Sequence, residues 1–230
     1  MKLQAVSNRK LYLQIADQIR EQILTGAARR GQQLPSEREL AISLGVSRPT
    51  VREALIALEV AGLLEVRVGV GAFVSMPSKD DRALPDVDHS PVEVMAARRL
   101  LEPETAALAA QNIGQSGKAR LDTILVQMRL ETAAGQWSTD SDRSLHMTLA
   151  ENCGNAVLRE LLETLWAFRS EAVDRGFHRH LADKDSLRAH IMGDHERIAH
   201  AVIDSNAQAA RLAMANHLKF VENEMLGGWD

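Results

Sequence analysis

The segment from Pro35 to Leu64, PSERELAISLGVSRPTVREALIALEVAGLL, predicts two short helices joined by a tight turn. Ser36 is placed to cap the first helix, because Glu39 follows it at the capping-box position. Gly45 then supplies the left-handed residue that ends this helix. Ser47 is placed to cap the second helix, so the segment predicts a helix-turn-helix.

The second predicted helix has one apolar face and one polar face. The apolar positions recur at helical spacing and are Val51, Ala54, Leu55 and Leu58. Arg48 and Arg52 are four residues apart on a face turned away from that stripe. With Thr50 beside them, they form the pattern of a recognition helix that enters the major groove of DNA. A solvated helical hairpin with ordinary surface arginines is the alternative, and the motif by itself does not decide between the two.

The next segment, Leu63 to Ser75, has the sequence LLEVRVGVGAFVS and predicts a short β-hairpin. Apolar and polar residues alternate around Gly69 and Gly71. A helix-turn-helix followed by a hairpin is a winged helix. Arg67 and the glycines would place the wing against a phosphate backbone or a minor groove, because glycine allows close approach of the backbone.

The stretch LPSERELAISLGVSRPTVREALIALEVAGLLEVRVGVGAFV resembles the GntR-type bacterial transcription regulators. The spacing of SEREL, GVSR, TVREAL, GLL and GxGxFV is reproduced throughout it. The resemblance implies that the operator is contacted by Arg38, Ser47, Arg48, Thr50, Arg52 and Gly69. Arg67 joins these candidates through its predicted place in the wing.

Charge is unevenly distributed along the 230 residues. Residues 1–75 hold ten Lys and Arg against seven Asp and Glu, about +3, whereas the whole chain carries −4, which leaves about −7 for the remainder. This asymmetry fits a DNA-binding head on a body that does not bind DNA. We expect a winged helix-turn-helix domain over residues 1–75, a proline-rich and charged linker over 76–90, and an all-helical domain over 91–230.

The single cysteine, Cys153, excludes an internal disulfide and is compatible with a reducing compartment. The first ten residues, MKLQAVSNRK, lack the apolar core of a signal peptide, and no apolar run approaches membrane-spanning length. We therefore expect a soluble, cytoplasmic protein.

From Pro91 onward the apolar pattern is helical, with breaks at glycines and without strand signals. The pattern predicts a mainly α protein whose C-terminal domain is an antiparallel helical bundle. The predicted helices cover residues 91–113, 117–135, 139–152, 155–178, 185–204 and 206–226.

Several polar residues of this bundle lie on predicted apolar faces, where they need a partner. His195 and His217 each lie on the apolar stripe of a helix, and Asp142 lies one turn before His146 on a third. Each histidine alone is more often a hydrogen-bonded core residue, but one carboxylate and three imidazoles from three helices favour a divalent metal, with Zn, Ni or Mn as candidates. The candidate ligands are Asp142, His146, His195 and His217.

Arg98 is a further inward-facing polar residue, on the stripe that contains Val94 and Leu101. An inward arginine beside a metal can clamp a carboxylate with two parallel hydrogen bonds. An internal salt bridge with Glu102 is the alternative.

Three stretches of the body, RRLLEPETAALAA, DRSLH and DHERIAHAVIDSNAQAARLAMANHL, are similar to the FCD ligand-binding domain of the FadR subgroup of GntR regulators. In the metal-binding branch of that subgroup an Asp and three His hold the metal, and these map onto Asp142, His146, His195 and His217. The arginine before the Leu-Glu pair maps onto Arg98 and implies an organic-acid effector. Residues 155–184 match only by position, so no pocket residue is assigned there.

Together these observations predict a homodimeric transcription regulator that is not an enzyme. We expect a repressor whose two winged helices bind a palindromic operator and whose affinity is set by a small carboxylate beside the metal, with Zn as the first candidate. Two alternatives stay open. One is a metal-dependent hydrolytic enzyme fused to a DNA-binding head, although the helical stripes offer no general base beyond the ligands. The other is a DNA-binding head on a purely structural dimerisation bundle.

Overall fold

In a computed structural model of the chain, the structure describes residues 10–67, 70–75, 90–136, 139–168 and 185–226. The described residues form two compact units, one up to Pro91 and the other from Val92 to Leu226. The linker predicted over residues 76–90 lies almost entirely outside the described residues. The predicted domain boundaries therefore stay a prediction.

The N-terminal unit is a winged helix-turn-helix, as predicted. Its helices are α1 (Leu11–Leu24), α2 (Glu37–Leu44) and α3 (Arg48–Val60), and its strands are β1 (Leu64–Arg67) and β2 (Gly71–Val74). The two strands pair antiparallel, with Leu64 opposite Val74 and Arg67 opposite Gly71. Strand β2 also forms a bridge from Phe73 to Gln33, which ties the wing to the segment before α2.

The ends of α2 and α3 form through the local chemistry that the sequence predicts. The Ser36 hydroxyl accepts a hydrogen bond from the Glu39 amide at 3.3 Å, and the Glu39 carboxylate accepts one from the Ser36 amide at 2.8 Å. Gly45 ends α2 in the left-handed conformation with φ of 67°. Ser47 caps α3 by accepting a hydrogen bond from the Thr50 amide at 3.4 Å. The capping box and the turn are confirmed.

The core of this unit lies between α1, α3 and the two strands. Val51, Ala54, Leu55 and Leu58 are all buried, which confirms the predicted apolar stripe of α3. The α1 side chains that meet this stripe are Tyr12, Leu13, Ile15 and Ala16. Packing on one side of α3 leaves its opposite side for other contacts.

The C-terminal unit is helical wherever the structure describes it. Its helices are α4 (Pro91–Asn112), α5 (Gln115–Ala133), α6 (Thr139–Glu151), α7 (Ala156–Ala167), α8 (Asp185–Ile203) and α9 (Ala207–Leu226). The prediction of one helix over 155–178 is wrong in its end point, because α7 ends at Ala167 and the structure describes nothing between 169 and 184. The other bounds lie within two residues of the predicted ones.

The core of this unit is built mainly from leucine, alanine and methionine on α4, α5, α6, α8 and α9. Fully buried members include Leu121, Leu125, Leu145, Leu149, Ile198 and Met214. Within the described ranges, no helix is both long enough and apolar enough to cross a membrane. The mainly α fold predicted from the sequence is confirmed.

Candidate metal centre and nucleic-acid interface

Four buried polar side chains converge in the interior of the C-terminal unit. They are Asp142, His146, His195 and His217, each no more than 6% exposed, and their candidate ligand atoms all lie within 4.8 Å of one another. Helix α6 supplies the first two one turn apart, α8 supplies the third and α9 the fourth. The structure therefore brings together all four residues predicted as metal ligands.

The spacing inside this cluster suits a single metal ion. The Oδ1 atom of Asp142 lies 3.1 Å from Nε2 of His195 and 3.7 Å from Nε2 of His146. Two ligands that are each about 2.1 Å from one ion lie roughly 3.0–4.2 Å apart for bond angles between a right angle and a straight line. Among the described residues, Nε2 of His146 has no hydrogen-bond partner although it is buried. Burying such an atom is costly unless something binds it, so the donor set fits a divalent metal.

Carboxylate groups lie next to the Nδ1 atoms of two of the three imidazoles. Nδ1 of His146 donates to the buried Glu102 on α4, and Nδ1 of His217 lies 3.5 Å from Oδ2 of the buried Asp194 on α8. A carboxylate on one ring nitrogen orients the ring and leaves the other nitrogen as the ligand atom. The ring of His146 is therefore held with Nε2 available for a metal, and the carboxylate of Asp194 lies beside the ring of His217.

These supporting roles are not among those predicted from the sequence, which gives Glu102 only as a partner of Arg98 and assigns no role to Asp194. Asp194 lies three residues after Ile191 and four before Ile198, both of which are buried. Its place on the apolar stripe of α8 therefore indicates a buried polar side chain. No comparable sequence signal points from Glu102 to His146, because their contact joins two different helices.

Burial and neighbouring charges set the protonation of the cluster. Burial, together with the neighbouring His195, lowers the pKa of His217 to about 4. Burial also lowers the pKa of His146, although Glu102 acts in the opposite direction. Burial acts to raise the pKa of Glu102, but Arg98 and His146 hold that pKa well below its ordinary value. Both imidazoles are thus neutral at pH 7, which is the form that binds metal.

Arg98 is buried on α4, as predicted, and belongs to the same network. Its Nε donates to Glu102 at 2.5 Å, and its guanidinium lies 4.4 Å from the centre of the Trp166 ring. The internal salt bridge that the sequence left open is therefore present. It occupies the Nε position of a guanidinium that has five N–H donors, so a contact to an effector stays a proposal.

The predicted DNA-contacting residues lie on α2, α3 and the wing. Arg38 and Arg48 are exposed and line one concave surface between α2 and the start of α3. Ser47 is exposed at the N-terminus of α3, and its hydroxyl lies 2.7 Å from that of the half-buried Thr50. Ser47, Arg48 and Thr50 occupy the end of the recognition helix that would enter a groove, and Arg38 lies near that end on α2.

Arg52 and Arg67 are more constrained than the sequence suggests. Arg52 is half-buried and pairs with both carboxylate oxygens of Glu37, at 2.7 and 3.0 Å. Arg67 is exposed, pairs with Glu65 at 2.9 Å and lies 4.4 Å from the centre of the Phe73 ring. Gly69 lies outside the described residues.

Both units match known families. Residues 11–74 match the bacterial regulatory proteins of the gntR family, and residues 93–220 match the FCD domain. The second match covers more than half of the chain. Each match falls on one of the two compact units.

The chain is also similar along most of its length to named regulators. It is 36% identical over 230 residues to the Uxu operon transcriptional regulator of Escherichia coli (strain K12), covering 96% of this chain and 89% of that protein. It is 30% identical over 213 residues to the HTH-type transcriptional regulator LutR of Bacillus subtilis (strain 168), covering 89% and 96%. It is 28% identical over 231 residues to a putative L-lactate dehydrogenase operon regulatory protein of Escherichia coli (strain K12), covering 94% and 87%.

These families and relatives are transcriptional regulators and not enzymes, in agreement with the prediction from the sequence. The recognition helix, the wing and the buried polar cluster occupy the regions that the two family matches cover. The chain is therefore a DNA-binding transcription regulator of the GntR family, with a winged helix-turn-helix head and an FCD domain.

Proposed function

We propose that this regulator binds a palindromic operator as a homodimer, represses transcription there, and changes its operator affinity when a small organic acid binds beside a divalent metal in the FCD domain. The buried cluster of one carboxylate and three imidazoles is the observation that carries the proposal. A purely structural bundle has no need of such a cluster, because apolar residues of similar volume stabilise a core at least as well.

Asp142, His146, His195 and His217 are the residues that would hold the metal. Three nitrogens and one oxygen suit Zn best, with Ni and Mn as the other candidates. When bound, the metal would supply a positive centre for a carboxylate. Glu102 holds the ring of His146, so little rearrangement of that ligand is needed for binding.

Arg98 supports an acidic effector. It is a buried cation that hydrogen-bonds to Glu102, and Glu102 in turn hydrogen-bonds to the candidate ligand His146. A carboxylate that enters this region would meet the positive charge of Arg98 as well as the metal site. The name of one relative refers to an L-lactate dehydrogenase operon, and lactate is a small hydroxycarboxylate. That name supports the same class of effector for this chain.

The effector would act by binding two arrangements of the regulator unequally. A ligand shifts such an equilibrium only by the ratio of its affinities for the two states. The coupling between effector and operator is therefore reciprocal, and typical coupling changes affinity by about 5–150-fold.

A thermal-shift screen of the full-length chain tests the effector class. Hydroxy acids, sugar acids and dicarboxylates are added with and without Zn, since a ligand of the folded state raises the melting temperature by mass action. We expect one of these classes to raise it in the presence of Zn. The rise should be absent in His217→Ala and retained in His200→Ala, because His200 is exposed on α8. A purely structural bundle would give no acid-dependent rise in any of the three proteins.

A gel-shift titration against the chain's own upstream DNA tests the DNA-binding part. Binding should be specific for sequence and weaken steeply with salt. In vitro transcription from the same DNA then tests repression, since the amount of transcript should fall as the regulator is added. Unchanged or increased transcript would contradict the repressor proposal while leaving DNA binding intact.

A further inference from the structure

An acidic side chain of α2 lies against two of the predicted DNA-contacting arginines of α3. Glu37 is the first residue of α2, directly after the cap Ser36, and it is 7% exposed. The N-terminus of a helix favours a negative charge, which accounts for part of its stability there. An acid beside a nucleic-acid interface nevertheless opposes binding, because DNA is a polyanion.

The carboxylate of Glu37 is engaged by the recognition helix. Nε and Nη2 of Arg52 donate to its two oxygens at 2.7 and 3.0 Å, and Nη2 of Arg48 lies 3.4 Å from Oε2. Two parallel hydrogen bonds fix the plane of a guanidinium as well as its position. One carboxylate on α2 therefore restrains two arginines that are one turn apart on α3.

The two arginines differ in how much of the side chain remains exposed for contact with DNA. The side chain of Arg48 is 56% exposed, whereas that of Arg52 is 23% exposed. Arg52 is thus turned toward α2, and Arg48 keeps most of its surface at the end of α3. A long cationic side chain without such a restraint would meet any nearby phosphate, and phosphate contacts carry no sequence information.

We propose that Glu37 is a positioning residue for operator recognition. It keeps Arg52 from contacting phosphates and holds Arg48 where its guanidinium can contact base edges. Glu37 thereby lowers affinity for DNA in general and raises selectivity for the operator. The proposal rests on DNA binding by the head and is independent of the metal and the effector.

Substitution of Glu37 by the neutral residue Gln distinguishes an effect of the charge of Glu37 from an effect of its contacts with the two arginines. If Glu37 acts only through its charge, Glu37→Gln should strengthen binding to every duplex by the same factor. If it acts by positioning, Glu37→Gln should weaken binding to the operator while binding to unrelated DNA stays equal or increases. The ratio of the two affinities separates these cases.

The test uses the full-length chain and two duplexes. The first duplex is selected from a randomised pool by the unmodified chain, and the second is a scrambled sequence of the same composition. For Glu37→Gln we expect the ratio of the two affinities to fall tenfold or more, about the effect of losing one good base contact. We also expect a steeper salt dependence on the scrambled duplex, since a released arginine can neutralise about one more phosphate.

Glu21→Gln is the matched control. Glu21 is an exposed acid on α1, so this variant changes the net charge of the head equally without touching Arg48 or Arg52. Its affinity ratio should stay within about twofold of the unmodified chain. A double-mutant cycle is completed by Arg52→Gln and the double variant Glu37→Gln/Arg52→Gln. The effects of the two single substitutions on the affinity ratio should not add in the double variant, because Glu37 and Arg52 act as one unit.

Thermal melts of each variant separate recognition from folding, since partial unfolding lowers both affinities alike and leaves their ratio unchanged. If Glu37→Gln does not fold, Glu37→Asp replaces it. This variant keeps the charge but withdraws the carboxylate by one methylene, so the ratio should fall without a gain on scrambled DNA. An unchanged ratio in the folded variant would overturn the proposal, as would additive effects in the cycle or an unmodified chain that does not distinguish the two duplexes.

Discussion

His217 shows at the scale of one residue why the cluster suits a metal. Burial and His195 lower its pKa to about 4, so its ring is neutral at pH 7, and Asp194 stands behind its Nδ1. A neutral, oriented imidazole beside two others and a carboxylate forms a set of side chains suited to bind a divalent cation. The sequence identified this residue because the apolar stripe of α9 surrounds it.

Replacing His217 by alanine should remove most of the bound metal. Purified unmodified protein is expected to hold about one Zn per chain, because the four side chains offer three imidazole nitrogens and one carboxylate oxygen to a single ion. Metal content is measured by mass spectrometry of the elements after dialysis. His200→Ala is the control, since His200 is exposed on α8 and should leave the content unchanged. Full metal content in His217→Ala would show that the ligand set is wrong.

Glu102 offers a sharper residue-scale test, because it would not touch the metal. Glu102→Gln should weaken metal affinity by about 10–100-fold, the usual cost of losing the partner behind a ligating histidine. Competition with a chelator of known affinity measures the change. Glu104→Gln on the same helix is the control, since Glu104 is exposed and pairs with Arg211. Equal affinities in the two variants would contradict the role of Glu102.

Arg48→Ala should weaken operator binding without loss of fold. A lost base contact costs about 1–3 kcal/mol, and Arg48 is largely exposed, so its removal leaves the core intact. Anisotropy titration with the selected duplex measures the affinity, and circular dichroism checks the fold. Unchanged affinity would remove Arg48 from the interface.

The sequence predicts the same outcome for Arg52→Ala, because Arg52 also lies off the apolar stripe. The structure changes that expectation, since this variant leaves the buried charge of Glu37 without its main partner. Breaking a buried pair is costly, so a lower melting temperature should accompany weaker operator binding. The pairing could not be predicted from the sequence, because it joins residues fifteen positions apart on two helices.

At the scale of helices and strands, most of the fold could be predicted because the decisive signals are local. Ser36, Glu39 and Gly45 fix the ends of α2 through contacts within a few residues. The stripe of α3 and the alternation in the wing are equally local. The end of α7 could not be predicted in this way, because the apolar pattern continues past Ala167 and the helix does not.

Ser36→Ala tests the contribution of the capping box to the stability of the head. Loss of a serine cap typically costs about 1 kcal/mol, and the Ser36 hydroxyl makes two hydrogen bonds that would be lost together, one accepted from the Glu39 amide and one donated to the Glu39 carboxylate. Denaturant unfolding followed by circular dichroism should show a lower midpoint for the N-terminal unit. Ser43→Ala is the control, since Ser43 is exposed within α2, where alanine is at least as favourable. Equal midpoints for the two variants would contradict the role of the cap.

At the scale of the whole molecule, net charge does not explain DNA binding. The chain carries −4 overall, whereas residues 1–75 carry a net charge of about +3, from ten Lys and Arg against seven Asp and Glu. Affinity for DNA must therefore come from a local set of arginines on α2, α3 and the wing. The net negative charge of the remainder disfavours contact of the FCD domain with DNA.

Transmission of acid binding from the FCD domain to the head is the main element of the proposed function. Its most direct test is an anisotropy titration of the full-length chain with the selected duplex, with and without the acid found in the thermal-shift screen, before and after removal of metal by a chelator. We expect the acid to change operator affinity by about 5–150-fold when metal is present, and by less than twofold in chelator or in His217→Ala. An equal response to the acid with and without metal, or no response to any acid that binds, would contradict it.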